Sequence, residues 1–201
     1  EQIEKVLNKE KVEPTVEIPK VEDKKEFDWG WMNTDMTHAE FHKSAITEEI
    51  FNNNIYEKLF EVEQGDIVLD IGASIGPFTY SILNKKPKHV FCVEPSEREF
   101  TTLVKNTIGH PVTHINKGIS GINGIVESDQ LFGGESHMES ITFQKLVELY
   151  GLSKIDFLKT DCEGGEYSIF TEENLPFIKQ NVKKITGEWH LRSPELKEKF
   201  R

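Results

Sequence analysis

The chain has 201 residues, 36% of them hydrophobic and 29% charged, which leaves room for one domain plus an extension. Its formal charge is −11 with no basic cluster longer than Lys85-Lys86 and nearby Lys88, which argues against nucleic acid, whose backbone is held by clustered Lys and Arg. No run approaches the ~18 to 20 apolar residues that span a bilayer, no secretory pattern opens the chain, and Cys92 and Cys162 form no C-x-x-C pair, so the expectation is a cytoplasmic protein with no membrane contact and two reduced thiols.

Residues 1–26 are dominated by Glu, Lys, Asp and Pro. Such a composition buries little surface and predicts a flexible charged arm, any early helix being stopped by Pro14 and Pro19. Phe27, Trp29, Trp31 and Met32 then predict an aromatic flap that packs on the domain or closes over a crevice as a lid. Arm and flap make a first segment, 1–33, and 34–65 reads as a helical lead-in. His38 and His42 share a helical face, but a His pair without a Cys or carboxylate at fixed spacing makes no metal site. Thr47 followed by Glu48 and Glu49 predicts a helix N-cap with acids in the first turn. Ile50, Phe51, Ile55, Tyr56, Leu59 and Phe60 recur as one apolar helical face, and Gln64-Gly65-Asp66 ends the helix.

The rest of the chain is organised around 67–94. Ile67–Ile71 is an apolar run of strand length leading into Asp70-x-Gly72-x-x-x-Gly76. A helical pattern closes at Pro87, and a second apolar run, His89–Val93, ends in Glu94-Pro95. Strand, glycine turn, helix, strand opens an α/β sheet whose ligands sit outside the carboxyl ends of the strands, so the turn and Glu94 should meet at one crevice. Gly72 and Gly76 allow positive φ and close backbone approach. Their spacing is not the G-x-G-x-x-G that cradles a pyrophosphate, and Asp70 would oppose an anion. S-adenosylmethionine has no phosphate and carries an ammonium and a sulfonium, so it suits this charge better, with Glu94 accepting from two ribose hydroxyls.

Ser96 predicts the N-cap of the next helix, with Glu97 and Glu99 in its first turn and Phe100, Leu103 and Val104 facing inward. A third strand is expected over 112–116, with Gly118-Ile119-Ser120 just past its end and Ile119 as the contact for an adenine ring. Gly124–Glu127 reads as a short strand and 133–137 as a mobile loop near the site. Thr142 predicts a cap for the helix carrying Phe143, Leu146, Val147 and Tyr150, which Gly151 ends. Ile155–Thr160 is the fourth strand, followed by the polar run Asp161-Cys162-Glu163-Gly164-Gly165-Glu166 and another helix that begins over 167–170. A fifth strand over 182–189 leads to His190.

Three stretches together resemble one family: Asp70-Ile71-Gly72-Ala73-Ser74-Ile75-Gly76 with Thr79, Glu94-Pro95 followed by Leu103-Val104-Lys105-Asn106, and the strand and polar run from Ile155 to Glu166. In order and spacing, over roughly 68–190, they resemble the FkbM-type methyltransferases. The resemblance implies a Rossmann-like, three-layer α/β sandwich with a mostly parallel sheet over 66–201. It implies an S-adenosylmethionine-dependent O-methyltransferase acting on a hydroxyl of a small molecule or glycan. The cofactor residues would be Asp70, Gly72, Ala73, Ser74, Gly76, Glu94, Pro95, Gly118, Ile119 and Asp161. Ser74 stands where the family commonly has Asn, Gly165 where it has Ala, and Thr160 where it has Ile or Val. Such enzymes continue after the fifth strand with a helix and two more strands, whereas 192–201 accommodates only a short helix opening at Ser193-Pro194. The expectation is a truncated sheet with an exposed edge that favours a homo-oligomer.

Strands four and five are neighbours in this fold, so Asp161, Glu163, Glu166 and His190 should converge at the crevice rim. His190 is the candidate general base, since an ordinary imidazole titrates near 6.5. Asp161 would contact the methionine end of the cofactor. Glu163 and Glu166 would bind substrate, orient His190, or pair with Lys159, which lies on the same strand face as Asp161 and completes the candidate catalytic set. No metal is expected. The competing functions are a catalytically silent domain that binds a nucleoside or a partner, and an NAD-dependent oxidoreductase, which fails on Asp70 and the glycine spacing.

Overall fold

The computed structural model describes residues 26–33, 37–127 and 137–190. The charged arm up to 25, the loop at 133–136, the segment beyond 190 and the side chain of His38 lie outside the described residues. In chain order the elements are α1 (Thr37–Ile46), β1 (Ile67–Ile71), α2 (Pro77–Ile82), β2 (His89–Val93), α3 (Glu97–Thr107), β3 (Val112–Ile115), β4 (Gly118–Ile119), β5 (Gly124–Glu127) and β6 (His137–Ile141). They continue with α4 (Phe143–Leu149), β7 (Ile155–Thr160), α5 (Glu166–Ile169), α6 (Leu175–Asn181) and β8 (Val182–Gly187).

Five strands form one sheet in the order β3-β2-β1-β7-β8, every pair parallel. Parallel pairing needs crossovers, and helices supply them, so both faces of the sheet are covered. The two-residue period sorts the strand side chains accordingly. Leu69, Ile71 and Leu158 face a core completed by Phe143 and Leu146 of α4, Ile169 of α5 and Ile178 of α6. Val68, Val90, Cys92 and Phe157 face the other, completed by Phe78 and Ile82 of α2, Leu103 of α3, and Ile50, Tyr56 and Val62 of the lead-in. The result is the three-layer α/β architecture expected. β7 lies between β1 and β8 and is buried at every position, while β8 has a neighbour on one side only among the described residues.

A second, three-stranded sheet, β4-β6-β5, stands beside the first. β5 was legible in the sequence; β6 and the sheet it organises were not, because β6 carries charge and polarity at alternate exposed positions (His137, Glu139) and has no apolar run. Ser140 joins the strands, its hydroxyl bonding the carbonyls of Ile122 and Gly124. Helix α6, with Pro176 in its first turn, was likewise not anticipated.

The lead-in differs from expectation. Thr47 caps nothing: α1 runs straight into a π-helical turn at Thr47–Asn52, and the Thr47 hydroxyl donates back to the Lys43 carbonyl at 2.7 Å. The helix stops at Asn54, whose φ of 47° is left-handed, and a 3-10 turn at Ile55–Glu57 follows. Ile50 and Tyr56 are buried as expected, but Leu59 and Phe60 fall past the break and are exposed. The expected caps Ser96 and Thr142 do accept from the N–H groups of Glu99 and Lys145. The fifth strand ends at Gly187, two residues before the expected limit.

The aromatic segment packs down. Phe27 sits edge-on against Trp29, Phe51 and Tyr80, with ring centroids 5.1 to 5.3 Å apart. Asn106 on α3 fastens it: its amide oxygen accepts the Asp28 N–H, and its amide nitrogen donates to the carbonyls of Asp28 and Ile75, all within 2.9 Å. One buried side chain therefore ties the strap to the helix and to the glycine turn. Asn106→Ala is expected to lower stability by roughly 2–4 kcal/mol, the sum of its lost bonds, and to shift the emission of Trp29 and Trp31; denaturant titration followed by tryptophan fluorescence reads both. An unchanged midpoint would mean that ring packing alone holds the strap.

Candidate functional site

A cavity of about 700 Å³ opens at the carboxyl ends of the main-sheet strands, bordered by Ile71, Gly72, Val93, Glu94, Asp161 and Glu188. That is where an open parallel sheet holds its ligands. Its volume falls in the range of small-molecule and cofactor pockets.

On one side the turn after β1 folds tightly under β2. The N–H groups of Gly72 and Ala73 both donate to the Val93 carbonyl, at 2.9 and 3.0 Å. Gly72 has φ +77°, and a Cβ there would collide with the Asp161 carbonyl, so glycine is required on both counts. Ser74 also sits in the left-handed region, at φ 51°, a conformation that Asn tolerates better. This turn positions Glu94. Its two carboxylate oxygens accept the N–H groups of Ser74 and Ser96, each at 2.8 Å. Burial pushes the Glu94 carboxyl up to about 7 despite those two donors. Each oxygen keeps a lone pair for a further donor. Beyond Glu94, Pro95, Gly118, Ile119 and Met138 continue the wall, and Met138 of β6 packs so closely on Gly118 that a Cβ there would strike its sulfur.

On the other side, at the ends of β7 and β8, the wall is acidic. Asp161 accepts the Tyr56 hydroxyl at 2.5 Å, an interaction that, after burial, raises the Tyr56 phenol well above its ordinary value. Glu163, at φ 55°, and Glu188 border the cavity beside it. Burial, followed by the carboxylates of Asp161 and Glu49, raises the Glu188 carboxyl. His190 does come to Asp161, Glu163 and Glu166, as expected. Its Nδ1 is 3.1 Å from the fully buried Glu166, and its Nε2 is 3.6 Å from Glu163 and 3.8 Å from Asp161. Glu166 is itself held by the N–H groups of Cys162 and Gly164. His190 stands behind Asp161 and Glu163 rather than in the cavity wall.

Three expected site residues are engaged in other contacts, although Lys159 also borders the cavity. Asp70 is fully buried and does not border this cavity; it points toward α2, where its carboxylate accepts the Thr79 hydroxyl at 2.8 Å. Lys159, its direct partner in the β1–β7 register, ion-pairs with it at 3.1 Å. Lys159 therefore does not pair with Glu163 or Glu166: its ammonium donates to the Gly72 carbonyl at 2.6 Å and lies over the Tyr56 ring. Burial works against that charge, but Asp70 and Asp161 keep it protonated above the ordinary lysine range. Gly76 caps α2 with φ +86° and packs on Leu103, away from the cavity.

The structure adds residues that were not singled out as site residues. Trp31 of the strap, Phe41 and His42 of α1, Glu49 of the π-helical turn, Tyr56 and Glu188 all border the cavity. The signal of those from the strap and the lead-in was weak, because they arrive from elements distant along the chain, whereas Glu188 lies only two residues before His190. Asp161, Glu188 and His190 bring one donor atom each to within 4.8 Å of one another. No helix among the described residues is long and apolar enough to cross a membrane.

A family model for the FkbM methyltransferase domain matches residues 70–201. Among solved structures, the chain is similar to precorrin 8W decarboxylase from Methanobacterium thermoautotrophicum, with 17% identity, 68% of this chain and 60% of that one covered, and a TM-score of 0.42. It is also similar to a SAM-dependent methyltransferase of Leishmania major, with 15% identity, 75% and 51% covered, and a TM-score of 0.37. The chain thus spans 60% and 51% of the lengths of these two proteins. No curated protein matches it.

Removing one member of a buried ion pair leaves the other charge uncompensated, at a cost of about 3–5 kcal/mol. Lys159→Met is expected to lose stability on that scale, and Asp70→Asn combined with Lys159→Met to regain most of it. Urea denaturation of the two variants measures this, and a fully stable Lys159→Met would remove the pair from the fold's support.

Proposed function

Because the chain belongs to the FkbM methyltransferase family, we propose that it transfers a methyl group from S-adenosylmethionine to a hydroxyl of a small molecule or glycan. The observation that carries this is Glu94. A buried carboxylate at the end of β2, fixed by two backbone N–H groups and facing the cavity, suits the two hydroxyls of a ribose. The glycine turn beside it leads to carboxylates, which favour a sulfonium and an ammonium and oppose a pyrophosphate. The residues present therefore fit the cofactor. Ile119, with Pro95 and Met138, offers the apolar wall for its adenine, and Asp161 an anchor for its ammonium.

Bound there, the cofactor supplies an activated methyl group on sulfur, which keeps the bonding electron pair when the methyl leaves. The protein has two tasks: to align the acceptor oxygen in line with that bond, and to take its proton. The wall of Asp161, Glu163 and Glu188 supports the first. For the second, Glu166 holds His190 by Nδ1 and leaves Nε2 as the acceptor atom. As the new oxygen–carbon bond forms, the hydroxyl proton goes to the Asp161 or Glu163 carboxylate that stands between the cavity and His190, and from there to Nε2. Trp31, Phe41 and the strap shield the cavity from water. The edge of β8, on which no further strand pairs among the described residues, supports self-association.

Calorimetric titration with S-adenosylhomocysteine and, separately, with NAD tests the cofactor: micromolar binding of the first alone is expected, and binding of NAD alone would overturn the proposal. Glu94→Ala should weaken S-adenosylhomocysteine at least about tenfold, the loss of one charge-assisted hydrogen bond or more. Since hydroxyl donors prefer the ionised carboxylate and its value in the empty site is about 7, wild-type affinity should be constant above that pH and fall by up to about tenfold per unit below it. Glu94→Gln should flatten this profile. His190→Ala should abolish turnover while sparing S-adenosylhomocysteine affinity; wild-type turnover would refute its role.

A further inference from the structure

Asp161 is held from two directions. Its N–H donates to the Ile71 carbonyl at 2.9 Å, and its own carbonyl occupies the space that a Cβ on Gly72 would need, so its backbone is fixed against β1 and the glycine turn. Its side chain is fixed by a residue from far along the chain. Among the described residues, the hydrogen bond to this carboxylate comes from the Tyr56 hydroxyl, which donates to Oδ2 at 2.5 Å. Oδ1 is 3.8 Å from His190 Nε2, beyond hydrogen-bond distance, and keeps its lone pairs.

Tyr56 is itself immobilised. It is only 6% exposed although it borders the cavity: the Phe78 ring packs edge-on to it at 5.7 Å, and the Lys159 ammonium lies 5.1 Å from its ring centre. Lys159 is near enough to Asp161 for that carboxylate to help keep it protonated, yet its ammonium goes to Asp70 and the Gly72 carbonyl. The difference matters to a cationic ligand. A lysine bonded to Asp161 would cancel its charge, whereas a phenol orients the carboxylate and leaves the charge in place. Burial, followed by the charge of Asp161, holds the phenol well above its ordinary value, so it remains a neutral donor.

Resting on the methyltransferase reading above, we propose that Tyr56 is a positioning residue for the cofactor: its hydroxyl holds Asp161 by Oδ2 with the negative charge intact, so that Oδ1 receives the ammonium of the cofactor's amino-acid arm. A carboxylate ordered in advance spares binding the cost of ordering it. The ring acts on Lys159 and the hydroxyl on Asp161, and the two contributions are separable.

Calorimetric titration of the full chain compares S-adenosylhomocysteine with methylthioadenosine, which keeps the nucleoside and the sulfur and lacks the amino-acid arm. Tyr56→Phe leaves the ring between Phe78 and Lys159 and removes only the hydroxyl. It is expected to weaken S-adenosylhomocysteine about fivefold or more, most of the worth of one hydrogen bond to a charged group, and to leave methylthioadenosine within about twofold. With Asp161→Ala already present, the same change should alter neither affinity by more than about twofold, because the hydroxyl then has nothing to orient. Equal losses for the two ligands, an unchanged S-adenosylhomocysteine affinity in Tyr56→Phe, or the full loss in the Asp161→Ala background would overturn the proposal. A wild-type chain that binds neither ligand overturns the methyltransferase reading and this assignment with it, whereas one that binds S-adenosylhomocysteine equally well with and without the hydroxyl overturns this assignment alone.

Discussion

The ion pair between Asp70 and Lys159 is the constraint on which the site depends. The two residues are register partners on adjacent central strands and point toward the same helical layer, where no water can screen them. Asp70 is stabilised by the Thr79 hydroxyl from α2, and Lys159 reaches on to the Gly72 carbonyl. A charge buried in this way must be compensated by good geometry, or it costs more than it contributes. Here the compensation links β1, β7, α2 and the glycine turn at one point. The turn in turn presents the Ser74 N–H to Glu94, so the shape of the cofactor end of the cavity follows from a pair that does not touch the cavity floor through Asp70 at all.

Tyr56 extends the same network to the acidic end. Its ring lies over the Lys159 ammonium and its hydroxyl donates to Asp161. Tyr56 comes from the 3-10 turn that the break at Asn54 creates. A continuous helix through this region would carry the ring past the site. The interruption that exposes Leu59 and Phe60 is therefore also what delivers a buried phenol to Asp161. On the far side of the sheet the buried Glu166, held by the N–H groups of Cys162 and Gly164, fixes the orientation of His190 nearer the surface.

Electrostatically the two ends of the cavity differ. Glu94 is raised by burial and restrained by backbone donors, with Glu99 beside it accepting the Ser74 hydroxyl. The end at β7 and β8 holds several carboxylates whose repulsion is part of why Glu188 is raised. Backbone donors accept negative charge at no cost in side-chain ordering, whereas crowded carboxylates need a counter-charge.

What the sequence by itself determined was the order of the main strands, the glycine turn, the acidic residue after β2, and the meeting of Asp161, Glu163, Glu166 and His190. These are local patterns: apolar runs, a glycine spacing, caps at Ser96 and Thr142, and residues within a few positions of a strand end. Tertiary structure alone decided which charges face which. Asp70 and Lys159 lie 89 positions apart, and only the pairing of β1 with β7 sets them side by side, which removes both from the roles their motifs suggested. The same holds for Tyr56, Glu49 and Phe41, whose place at the cavity depends on where a helix breaks and how a lead-in packs across a sheet. Strand periodicity assigns a side chain to a face of the sheet. The partner it finds there is settled by long-range packing, which leaves no period in the sequence.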